Sequence, residues 1–131
     1  MEITLYPAAA GSLSALHEGI VVSATYAGTP SPSARRHADE IGRIDLGSEQ
    51  VKVPGRPGTV LISGSAVKRH RLSWIDGPVN LNINVFSARR SGPDNILACD
   101  FFDGDLTHAT SKPVALHCSL IAEHVVTKAL S

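Results

Sequence analysis

The sequence predicts an α+β fold: an antiparallel β meander with an N-terminal hairpin and a C-terminal helix packing on a dimer partner. Three observations lead there. From Val79 to Val85, apolar residues alternate with Asn80, Asn82 and Asn84, the period of a strand with one wet face. Short β-prone runs are separated by Gly- and Pro-rich punctuation, as a chain of hairpins requires. After Ser111 the period changes. Val114, Cys118, Ile121, Ala122, Val125 and Ala129 recur at three- and four-residue spacing, which is a helical stripe.

Taken in order, residues 3–6 form a brief strand stopped by Pro7. The small residues 8–12 connect it to a hairpin partner at residues 13–17. Residues 20–26 (IVVSATY) form a stronger strand, rich in β-branched side chains. Pro30 and Pro32 then break regular structure, and residues 34–41 read equally as one helical turn or as loop. Residues 50–53 are a strand, residues 54–58 (PGRPG) a turn, and residues 59–62 and 66–75 further strand. Asp76-Gly77-Pro78 turns the chain into the alternating strand, and residues 96–102 add another. The final element is a helix of about 17 residues from Pro113, with Ser111 as its cap.

At 131 residues the chain suits a single domain over 1–131. Lys+Arg and Asp+Glu number 12 each, so a strongly basic nucleic-acid binder of the usual kind and an acidic tail are both excluded. No apolar run reaches membrane-spanning length, and no signal-peptide layout stands at the N-terminus, so no membrane partner is expected. Cys99 and Cys118 are too few for a disulfide framework and are expected to be reduced and partly buried.

Enzyme-like signals are weak. Asp100, Asp103, Asp105 and His108 crowd nine residues, a set of hard oxygen ligands on a Gly-containing loop; its spacing equally suits a solvated turn. His117 and His124 share a helical face but lack a third ligand at zinc spacing. Ser63-Gly64-Ser65 is no nucleophile elbow, and the glycines match no phosphate-binding fingerprint. No catalytic residue, metal site or cofactor is therefore assigned. The better constellation is planar and polar: Asn80, Asn82 and Asn84 on one strand, Lys68 and His70 on its hairpin neighbour, and Lys52 on a third. Asparagine is depleted in strands, whereas amides bond base edges and lysines neutralise phosphates. These six are the candidate RNA-binding residues.

Together, the hairpin in residues 3–17, the strands around residues 51–86 and the helix from Pro113 resemble the coat proteins of single-stranded RNA bacteriophages. The resemblance is one of architecture. It implies two interlocked subunits, the helix of each covering its partner's sheet, with the inner sheet face on the genome. The expected function is a non-enzymatic capsid subunit, self-assembling from homodimers into an RNA-containing virion in the host cytoplasm. The alternative is a small oligomeric α+β enzyme or ligand-binding domain using the loop from Asp100 to His108. A third possibility is an accessory protein that binds only another protein.

Overall fold

A computed structural model describes residues 1–131. The elements run β1 (Glu2–Leu5), α1 (Pro7–Ala15), β2 (Gly19–Pro30), β3 (Ile44–Pro54), β4 (Gly58–Thr59), β5 (Ile75–Ser87), β6 (Leu97–Cys99), β7 (Phe101–Asp105), α2 (Leu106–Ser111), β8 (Ala115–Leu120) and β9 (Ala129–Leu130). Short 3-10 turns occupy Pro32–His37, Arg69–Trp74 and Ile121–Glu123. The strands form a four-stranded sheet, β4-β1-β8-β6, and a five-stranded sheet, β3-β2-β5-β7-β9. Most pairings are antiparallel; β1 with β8 and β7 with β9 are parallel. The fold is α+β.

One apolar core joins the two sheets. Ile20, Val22, Ala24 and Tyr26 of β2 and Leu81, Ile83 and Val85 of β5 meet Ile3, Leu97, Leu116 and Cys118 of the smaller sheet. The alternation in β5 falls as its sequence requires. Leu81, Ile83 and Val85 are buried, Val79, Asn80 and Asn82 are half-buried, and Asn84 is exposed.

The N-terminal hairpin is a helix instead. Pro7 stands in the first turn of α1, where its fixed φ helps and its missing donor costs nothing. The alanines that follow are the strongest helix formers, so a small-residue run need not be a turn. Ala9 and Leu13 enter the core, and His17, with φ 53°, stops the helix in the left-handed region.

The C-terminal helix is also absent. Residues 114–118 are apolar densely enough to satisfy both periods, and the sheet decides between them. Val114, Leu116 and Cys118 are buried while Ala115 and His117 are exposed, because β8 fills the slot between β1 and β6. Of the stripe expected to face a dimer partner, Val114 and Cys118 lie in the chain's own core, Val125 is half-buried, and Ile121, Ala122 and Ala129 are exposed. Cys99 and Cys118, paired in register across β6 and β8, form a disulfide, which corrects the expectation of free thiols.

Asp76-Gly77-Pro78 is no turn either. β5 runs through it, with a register shift opposite Gly28. The single strand expected over residues 96–102 is cut at Asp100, where the chain leaves one sheet for the other. The buried Asp100 carboxylate accepts from His117 N at 3.1 Å and from Lys128 N at 2.8 Å.

A second buried carboxylate ties the turn before β2 to the loop after β5. Glu18 Oε1 accepts from Gly19 N at 2.8 Å and Arg90 N at 3.1 Å. Its Oε2 accepts from Ser91 N at 3.0 Å and Ser91 Oγ at 2.7 Å. Burial alone pushes the carboxyl up, but the bonds from Ser91, Arg90 and Gly19 outweigh it and hold it at about 2. A lowered folded-state value means the stabilisation is complete above the ordinary value of 4.5 and is lost as pH falls through about 2. Because the loop over Glu18 is exposed, screening reduces the effect to ~2 kcal/mol. Glu18→Gln should destabilise by about that amount at pH 7 and flatten the stability profile between pH 4.5 and 2. Urea titrations across that range check it, and a profile as steep as wild type would refute it.

Candidate nucleic-acid interface

Strand pairing sorts side chains between the two faces of the larger sheet. Across β3, β2 and β5, Gln50, Ser23 and Asn84 form one row, and Ser48, Thr25 and Asn82 the next. Lys52 lies in the row of Val21 and Phe86. Lys52, Asn80, Asn82 and Asn84 therefore share the wet face. Asp103 and Asp105 join that face from β7, opposite Asn82 and Asn80.

The amides largely serve one another. Asn80 Nδ2 donates to Asp103 Oδ1 at 2.9 Å, and Asn84 Nδ2 donates to Asn82 Oδ1. This accounts for asparagine at alternate strand positions. It also gives the face a polarity, with Lys52 on one flank and carboxylates on the other.

Lys68 and His70 are elsewhere. They do not alternate on a neighbouring strand, because the segment before β5 is a 3-10 turn with Lys68 as its cap. Two features hold that segment in place. Glu49 accepts from Ser63 N at 3.0 Å and Ala66 N at 3.3 Å, and Lys68 N donates to Leu46 O at 2.7 Å. Gly47, with φ +114°, permits the crossing: a Cβ there would lie 2.3 Å from Ala66 O. On the core side, burial and the neighbouring Glu49 carboxylate push the Tyr26 phenol up to about 12.

The turn Arg69–Trp74 meets the turn Pro32–His37, because β2 ends where β5 begins. Thr29 pairs with Asp76 and Pro30 with Ile75, and Ser31 N donates to Trp74 O at 2.8 Å. The junction gathers Arg35, Arg36, His37, Lys68, Arg69, His70, Arg71 and Trp74. His37 stacks on Trp74 with centroids 3.9 Å apart and planes 6° from parallel. His70 meets the same ring edge-on at 6.0 Å, and Arg71 lies 5.7 Å from its centroid. Asp45 is the counter-charge, 3.9 Å from both Lys68 Nζ and Arg71 Nη1. Arg71 Nη1 also donates to Asp45 O at 2.9 Å.

Five cations on two touching turns, with aromatic rings among them, form a basic patch on a chain of zero net charge. The sequence candidates included Lys68 and His70 but not Arg35, Arg36, His37, Arg69, Arg71 and Trp74. The available signal was that ARRH follows one long strand and KRHRLSW precedes another. If those strands pair antiparallel, the two basic strings must meet.

The acidic loop does not converge. Asp100 bonds backbone amides, Asp103 holds Asn80, and Asp105 lies 4.0 Å from His108. No group of three or more His, Cys, Asp or Glu side chains is placed to hold a metal ion. No helix is long and apolar enough to cross a membrane. No protein-family model, curated protein or solved structure matches the chain.

Asp45→Asn keeps the oxygen that accepts from Gly47 N at 2.9 Å and removes the counter-charge. The variant should elute from a heparin column at higher salt than wild type. Unchanged or earlier elution would show that Asp45 does not limit the surface.

Proposed function

We propose that this protein is a non-enzymatic structural subunit that contacts single-stranded RNA, in the manner of a coat protein. The observation that carries the RNA contact is the junction of the two 3-10 turns, where Arg35, Arg36, Lys68 and Arg69 are exposed around the stacked rings of His37 and Trp74. Cations supply the sequence-independent attraction to phosphate and aromatic rings receive unpaired bases. The wet sheet face adds amides, with Lys52 as its cation.

Self-association finds support in the edge of the larger sheet. β3 pairs with β2 on one side only. Beyond the bond from Lys68 N to Leu46 O, its outer edge carries no further backbone bond from a neighbouring segment between residues 48 and 53. An open edge of that length is a template for strand pairing between chains. The coat reading draws no further support from an N-terminal hairpin or a C-terminal helix, since neither is present.

A ligand-binding reading has one observation of its own. A cavity of about 330 Å³ lies between the core face and α2, lined by Tyr26, Leu81, Ile83, Leu106, Ala109 and Val114 among others. A small apolar molecule fits its chemistry, and binding there would be insensitive to salt, unlike RNA.

The decisive experiment is sizing and electron microscopy of the purified protein with and without RNA, together with RNA binding across a salt series. RNA-filled particles are the expected result. For single strands each phosphate contact contributes about 0.7 to the slope of log K against log salt, so Lys68→Ala and Arg69→Ala should each flatten it by about that much. Asn82→Ala should leave the slope alone and weaken discrimination between sequences. A monomer or dimer that still binds RNA would remove the coat role. Absence of RNA binding would remove the whole proposal.

A further inference from the structure

We propose that a nucleobase of single-stranded RNA stacks on the outer face of the His37 imidazole, extending the column that His37 forms on Trp74. This rests on the RNA reading above and specifies which part of the strand the junction receives. At 3.9 Å and 6°, the imidazole already lies on the indole as one base lies on another. Trp74 is half-buried and fixed through the bond from Ser31 N to its carbonyl, whereas His37 is exposed. The indole is thus the foundation and the imidazole the presented surface.

The indole is hemmed in by His37, His70 and Arg71, whereas the His37 imidazole is exposed. Arg36 Nε donates to His37 Nε2 at 3.4 Å. That bond holds a guanidinium at the ring edge, where the phosphate of a stacked nucleotide would run. His70 meets the indole edge-on at 6.0 Å, and Arg71 braces it from 5.7 Å. Arg35, Lys68 and Arg69 are exposed on the same two turns. A duplex hides its base faces in its own stack, so this geometry selects unpaired bases.

Trp74 is the only tryptophan, so its emission reports on this column alone. The test titrates the protein with oligoadenylate, an RNA duplex and inorganic polyphosphate while following that emission. Oligoadenylate should quench Trp74 and bind roughly tenfold more tightly than polyphosphate at equal charge. His37→Ala should lose that advantage and the quench while keeping the salt slope, and His37→Phe, which keeps a stacking face, should restore both. If His37→Ala binds oligoadenylate as wild type does, or polyphosphate binds equally well, stacking is overturned and RNA binding by charge stands. If wild type binds no oligoadenylate at all, the RNA reading itself fails.

Discussion

The antiparallel pairing of β2 with β5, from Ile20 against Ser87 to Pro30 against Ile75, constrains everything else in the molecule. A strand's side chains have a period of two, so this register decides which residues are dry and which are wet. It sends Leu81, Ile83 and Val85 inward with Val22, Ala24 and Tyr26, and turns the asparagines outward beside Ser23 and Thr25. Its two ends fix the two loop systems. At one end Glu18 clamps the loop after β5; at the other the basic turns are forced together. A shift of one residue would invert the faces.

Neutral composition conceals a strongly uneven distribution. The twelve cations and twelve anions cancel in the sum, yet the carboxylates of Glu18 and Asp100 are turned inward onto backbone amides, and Asp103 is engaged by Asn80. Arg35, Arg36, Lys68 and Arg69 stay in solvent. A field at the surface follows from which charges remain exposed and close together, not from their total.

The parts of this arrangement that were legible in sequence share a physical cause. Strong alternation in residues 79–85 reports one strand facing water and core, and tertiary context had no reason to override it. Residues 114–118 satisfy two periods at once, so only the vacant slot between β1 and β6 could choose. The alanines after Pro7 carry a helical preference that reads as a small-residue turn when the preceding strand invites a hairpin. Of the candidate site, the asparagines were placed correctly on one face, because that needs only periodicity, whereas Lys52 joins them through the register of β3 on β2. The junction of the 3-10 turns was not legible, since it unites strings more than thirty residues apart through strand pairing. The disulfide was hidden for the same reason: Cys99 and Cys118 become neighbours only once β8 is a strand.

That disulfide closes a covalent ring with a sequence separation of 19. The ring leaves the smaller sheet at Cys99, enters the larger one as β7, passes through α2 and returns along β8. The two layers are therefore joined by chemical bonds as well as by apolar contact. A backbone cut in the exposed stretch around Thr110 to Pro113 would release no fragment. The pieces would stay tethered, and the break would show on a gel only after reduction.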